Sequence, residues 1–178
     1  MKKIKIIIAS FTMALLLASC TSNTLQGYLV KSQEKSGFIT FDIPASILQL
    51  KSDDVDEETK KALNSLKKVN LVAFPFNDNA SEIEKERKEI EGILTNSKYK
   101  SLMRFTESKI KISIYYSGTG DAIDEVIAYG YAADKGVGIA RILGENINPS
   151  KIVKMMKDVK LDGDGMKLES IQAIFSGK

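Results

Sequence analysis

Residues 109–116 read Lys-Ile-Lys-Ile-Ser-Ile-Tyr-Tyr. Ile110, Ile112, Ile114 and Tyr116 fall on one parity, and Lys109, Lys111, Ser113 and Tyr115 on the other. A period of two belongs to a β-strand, because successive side chains point to opposite faces. A slip of one residue would exchange the isoleucines for the lysines, so the register is strongly specified. Three more strand candidates flank this one: Tyr99–Thr106, Ile123–Ala132 and Val137–Leu143. Short connections carrying Gly118/Gly120 and Asp134/Gly136 separate them, which reads as an antiparallel meander. Ile112 and Ile114 are expected to point inward from a central strand, toward a helix over 55–67.

The rest of the chain supplies that helix and others. Leu25 to Lys35 reads as a short helix, Phe38 to Ile43 as a strand closed by Pro44, and Ala45 to Leu50 as a turn of helix. Val55, Thr59, Ala62, Leu63 and Leu66 recur at helical spacing after the caps Asp53 and Asp54. Val69 to Phe76 is apolar on both faces and so reads as a buried strand. Ser81 and Glu84 form a capping box for a charged helix whose core stripe is Ile83, Ile90, Ile93 and Leu94. Asn148 and Pro149 open a last helix facing inward through Ile152, Val153, Met156 and Val159. The apolar tail Met166 to Phe175 either adds a strand or lies on the surface. Strands and helices in this order predict an α+β fold: a single mostly antiparallel sheet with helices packed on one face.

The first nineteen residues stand outside that pattern. Lys2, Lys3 and Lys5 precede an apolar run from Ile6 to Leu17, too short to span a bilayer. Leu17-Ala18-Ser19-Cys20 then resembles a lipobox, with cleavage between Ser19 and Cys20 and lipid on the Cys20 thiol. Cys20 is the only cysteine in the chain. Two or three acyl chains, at about 0.8 kcal/mol per buried CH2, make such a tether effectively stable. The expected organisation is a signal peptide (1–19), a lipidated tether (20–24) and a single domain (25–178). Thr21 in place of an aspartate, and the lack of an acidic run after Cys20, favour the outer membrane and its periplasmic leaflet.

Composition excludes more than it assigns. The chain has 26 Lys+Arg against 23 Asp+Glu, and three of the lysines belong to the leader, so the remainder is balanced. A neutral domain has no field to gather nucleic acid. There is no histidine, and the one cysteine is committed to lipid, which removes Ser-His-Asp and Cys-His catalysis and zinc sites built on those residues. No disulfide braces the domain, so packing alone holds it. No cofactor or metal is expected.

Beyond the lipobox, the chain resembles a Bacteroidetes-type family of small envelope lipoproteins whose domain has no assigned function. The resemblance rests on Gly37-Phe38-Ile39-Thr40-Phe41-Asp42-Ile43 and on Val69-Asn70-Leu71-Val72 after an acidic-capped helix. It also rests on Tyr99-Lys100-Ser101-Leu102-Met103 and the closing helix Ile147 to Lys160. It implies an envelope location and regulation at most, and it brings no catalytic motif.

Other motifs reduce to structure. Asp158, Asp162, Asp164 and Glu169 match four positions of a calcium loop, but Lys160 stands where a ligand belongs. Ser-x-x-Lys occurs four times with no accompanying catalytic motif. Gly136-Val137-Gly138 precedes a strand, not a helix, and reads as a hairpin feature. The acidic group Asp53, Asp54, Asp56, Glu57 and Glu58 suits a helix N-terminus. Lys151, Lys154, Lys157 and Lys160 suit a solvated helix face. Tyr115, Tyr116, Tyr129 and Tyr131 cluster on neighbouring strands and are the candidate binding surface insofar as they lie on the sheet's free face; core packing is the alternative, and alternation cannot put all of them in the core.

The expected function is therefore a non-catalytic binding or scaffolding module, attached to the membrane by its N-terminal lipid and meeting an envelope protein partner. An accessory role in envelope stress sensing and a carboxylate-dependent hydrolase are the alternatives. Cys20→Ser is expected to leave an unprocessed precursor and to abolish labelling by a fatty-acid probe in growing cells. Equal labelling of both chains would remove the lipoprotein reading.

Overall fold

A computed structural model describes residues 24–161, except 51, 53, 96–97, 108, 120–121 and 156–158. The strands are β1 (Ile39–Pro44), β2 (Leu48–Leu50), β3 (Leu66–Pro75), β4 (Lys100–Glu107), β5 (Ile110–Thr119), β6 (Ala122–Ala132), β7 (Gly136–Gly144) and β8 (Val159–Leu161). The helices are α1 (Leu25–Glu34), α2 (Glu57–Asn64), α3 (Ala80–Thr95) and α4 (Pro149–Met155), with a 3-10 turn at Ala45–Ile47. Six strands form one sheet in the order β1-β3-β7-β6-β5-β4, and every neighbouring pair is antiparallel. β2 and β8 make a separate antiparallel ribbon. The fold is α+β, and the meander β4 to β7 runs as its sequence predicts.

One face of the sheet is fully built. Val72 and Phe74 of β3, Tyr115 of β5, Ile127 and Tyr129 of β6, and Val137 and Ile139 of β7 share it. Against them pack Leu25, Tyr28 and Leu29 of α1 and the predicted stripe Ile83, Ile90, Ile93 and Leu94 of α3. Thr24 caps α1 by accepting a hydrogen bond from the Gly27 amide at 3.1 Å. Phe38 stacks on Phe74 with ring centroids 4.6 Å apart and so joins the entry to β1 to the same core.

The two longer helices thus lie together on one face, as expected. The shorter pair lies on the other. Ala62 of α2 and Ile152 and Met155 of α4 pack with Val126 of β6, and Ile114, Tyr116 and Ile142 join from the same face. This second layer covers only the end of the sheet where β3 begins and β7 stops. The reason is length. α2 ends at Asn64, where the sequence pattern runs to residue 67; α4 is described from Pro149 to Met155, and by Val159 the chain is in a strand, where the pattern runs to residue 160. Val159, expected on the helix, belongs instead to β8, which pairs with β2. The cap of α2 is Asp56, not Asp53 or Asp54. α3 begins at Ala80, ahead of Ser81, and Glu84 bonds Arg87 instead of closing a capping box. The tail Met166 to Phe175 and the acidic loop from Asp158 to Glu169 lie outside the described residues, apart from β8.

The isoleucine stripe of β5 is placed differently from its expectation. β5 is next to the edge strand, and its buried side chains are Tyr115 and Ser117, on the face toward α3. Ile112 and Ile114 are half-buried on the opposite face; Ile114 reaches the α2–α4 cluster. The largest truncation cost therefore moves to β6. Ile127→Ala, at a fully buried position, is expected to cost about 2–5 kcal/mol. Ile112→Ala should cost less than half as much, and Lys111→Ala less than about 0.5 kcal/mol. Urea melts of the three variants measure the order.

Candidate functional site

The two central strands carry a second alternation, between large and small side chains. β6 reads Ala128-Tyr129-Gly130-Tyr131-Ala132 and β7 reads Gly136-Val137-Gly138-Ile139-Ala140. The large residues all point to the face covered by α1 and α3. The small ones all point to the other face. Register brings them side by side: Ala128 opposite Ala140, Gly130 opposite Gly138, and Ala132 opposite Gly136. Ala73 of β3 lies across from Gly138 and extends the floor to a third strand.

The result is a trough of about 280 Å³ running along the strands. Its length, from the Ala140 level to the Gly136 level, is four residues, or about 13 Å. Its floor is three strands wide, about 10 Å. Large side chains stand on both sides. The Gly138–Gly130 row continues to Ile112 and Phe105 on one side and, beyond Ala73, to Ile39 on the other. The Ala140–Ala128 row continues to Ile114 and Met103, and to Leu71 and Phe41. Of the lining residues among those described, only Lys135 is charged. Gly136 sits at φ 118°, where a side chain is strained, and a Cβ there would strike the Phe74 carbonyl. At Gly130 a Cβ would meet open space.

The rim extends onto the edge strand. Met103 and Phe105 are 50% and 41% exposed, and Leu102 is pushed out at a bulge between Ser101 and Met103. Exposed apolar residues that adjoin an apolar trough mark a contact surface more strongly than scattered ones do.

The four tyrosines do not form one surface. Tyr115, Tyr129 and Tyr131 point to the helix-covered face, and Tyr116 to the other, beside Ile114 and the α2–α4 cluster. Tyr115 and Tyr129 are buried. The Tyr129 hydroxyl donates to Glu91 Oε1 at 3.1 Å; burial first, then the Glu91 charge, drives its pKa far above the ordinary tyrosine value. Arg87 lies over the Tyr131 ring at 5.4 Å. These tyrosines hold α3 to the sheet. Alternation alone dictates this outcome, since Tyr115 and Tyr116 are sequence neighbours. The same alternation, read for its small members, would have located the trough.

The other end of the sheet is ionic. Glu125 of β6 and Arg141 of β7 are both buried. Arg141 Nε donates to Glu125 Oε1 at 2.5 Å, the Tyr99 hydroxyl donates to the same oxygen at 2.9 Å, and Lys98 lies 3.2 Å from Oε2. Arg141 Nη1 donates to Gln26 Oε1 at 2.5 Å, which ties the first turn of α1 to the sheet. On the second face, the acidic group and the lysine stripe pair with each other. Lys154 donates to Asp56 at 2.7 Å and Lys151 lies 3.2 Å from Glu58. The Lys154 bond, and the amide of Thr59 behind it, hold the Asp56 carboxyl down to about 2. Cys20 and Ser19 lie outside the described residues.

Fold and site together define a small α+β domain that presents a small-residue trough on the half-open face of one antiparallel sheet. Residues 29–155 match the family DUF4252, described as a domain of unknown function, and the chain belongs to that family. No curated protein and no solved structure matches it.

The ionic end makes a direct stability prediction. Glu125→Gln keeps the shape but leaves the Arg141 guanidinium buried without its counter-charge. Breaking one side of a buried pair costs about 3–5 kcal/mol, so the variant is expected to lose about that much in a urea melt. Tyr99→Phe, which removes only a hydrogen bond, should lose about 1 kcal/mol.

Proposed function

We propose that this protein is a lipid-anchored, non-catalytic binding module of the cell envelope, and that the trough is where it holds an apolar segment of a protein partner. The observation that carries the reading is the run of Ala128, Gly130, Ala132, Gly136, Gly138 and Ala140 on one face of two paired strands. Glycine in a strand interior is unfavourable, with no side chain to pack and the most entropy to lose. Gly130 has open space above it, so neither packing nor backbone strain accounts for it. Close approach of another backbone does account for it.

The chemistry of the lining agrees. It is apolar, with Lys135 as its one charged member among the described residues. The carboxylates that the fold buries are engaged elsewhere: Glu125 with Arg141 and Tyr99, and Glu86 with Lys35 at 2.7 Å. None lines the trough, so nothing there supports the hydrolase alternative.

The proposed anchor suits this use. Cys20 precedes Thr24 by four residues, at most about 14 Å of extended chain. Thr24 caps the helix whose Gln26 touches Arg141, so lipid on Cys20 would hold the ionic end of the sheet toward the membrane. The trough then runs away from the bilayer, on the sheet face opposite α1, where a partner reaches it without crossing lipid.

Gly130→Val tests the reading. Its methyl groups enter open space, so the stability change is expected to stay within about 1 kcal/mol, the usual range for a strand glycine. A photoreactive residue at position 112 should give a specific envelope adduct in the parent chain, reduced at least tenfold by Gly130→Val. An undiminished adduct would place the partner elsewhere than the trough.

A further inference from the structure

We propose that the trough takes an α-helix of its partner: one with large apolar residues at i, i+4 and i+7 or i+8, and an acidic residue at the end that meets Lys135. The inference rests on the binding role proposed above and names the form and charge of the segment bound.

Hydrogen bonding decides the form. β3, β7 and β6 each pair with a strand on both sides, so the amides and carbonyls of the floor are engaged within the sheet. An extended segment laid on that floor would hold its own amides against apolar side chains, without partners. A helix satisfies its backbone internally and needs only an apolar face to dock.

The covered half of the same sheet face is already helical. There α2 and α4 lie on the sheet through Ala62, Ile152 and Met155, and Ile114 and Tyr116 of β5 join their cluster. Ile114 also stands in the Ala140–Ala128 row, so the helical layer and the trough share a border. A helix in the trough continues that layer at the same height.

The dimensions agree. The floor is about 10 Å wide, and a helix with its side chains is about 10–12 Å across. The floor has three levels, Ala140–Ala128, Gly138–Gly130 and Gly136–Ala132. Each lies two strand residues from the next, or about 6.7 Å. Residues four apart on a helix rise about 6 Å. Three successive turns therefore set one anchor over each level, and the open space above Gly130 receives the middle one.

Charge sets the end. Lys135, in the turn from β6 to β7, is the one charged lining residue among those described. It follows directly on the Gly136–Ala132 level. A segment that is apolar along its length and acidic at that end complements this distribution. A second copy of the chain does not. Two-fold symmetry would set trough against trough, small residues facing small, and leave the space between them unfilled.

The test is a selection on the full chain in mild detergent. A display library of random segments, each about eighteen residues long so that a helix can form, is first depleted on Gly130→Val and then bound to the parent chain. The retained segments are expected to repeat apolar residues every three to four positions and to be enriched at least twofold in an acidic residue at one end. Synthesised singly, such a segment should bind the parent chain at least tenfold more tightly than Gly130→Val, with Gly130→Ala between them. Its affinity for Lys135→Glu should fall severalfold at low salt. Retained segments that alternate every second residue overturn the proposal. So does equal binding to Lys135→Glu, or a library in which no segment depends on Gly130. A Gly130-dependent envelope photoadduct at position 112 together with alternating segments would reject the helix alone. Helical segments without any photoadduct would reject the envelope partner alone.

Discussion

The pairing of β6 with β7 sets the terms for the rest of the molecule. Each strand alternates large and small, and the register keeps like beside like across the pair. One face of the sheet centre is therefore bulky, with Ile127 and Ile139 completely buried, and the other is nearly bare backbone. Cross-strand side-chain pairs are the unit of sheet stabilisation, and Gly130 opposite Gly138 contributes none. The burial must come from the reverse face. α1 and α3 supply it with two long apolar stripes, and the stacked Phe38 and Phe74 close that core at the end farther from Gln26.

Stability and openness are thereby separated in space. The ionic end holds α1 through Gln26, Arg141 and Glu125, and pairs α2 with α4 through two carboxylate–lysine contacts. Those surface contacts are worth little singly, since exposed ion pairs contribute about 0–1 kcal/mol. Their service is orientation: they fix a short helical layer over one half of the second face. The other half has no layer among the described residues, and there the floor is smallest.

Much of this was legible in the sequence. The four strands of the meander fall within a few residues of their expected bounds, because hydrophobic alternation and glycine turns agree there. The core stripe of α3 was equally plain. What escaped was where two helices stop. Apolar spacing continues to Leu66 and to Val159, but both residues lie in strands whose partners are distant in sequence: β3 with β7, and β8 with β2. Local periodicity contains no term for such pairing. The tyrosines left the site's position open for a related reason. They are the conspicuous members of an alternating run, and the informative members were the glycines and alanines between them. The isoleucines of β5 showed their common face correctly but not what covers it, since coverage depends on how far α2 and α4 extend.

The bulge at Leu102 has a consequence at high protein concentration. β4 is the outer strand of the sheet on its longer edge, eight residues against six in β1. A flat strand of that length with apolar side chains would template copies of itself into a growing fibre. The extra residue twists the edge out of plane, and Lys100 and Arg104 set like charges along it, so that two molecules meeting edge to edge repel before their amides align. Copies held at high local concentration would otherwise add edge to edge; a single irregular residue lets them remain individuals.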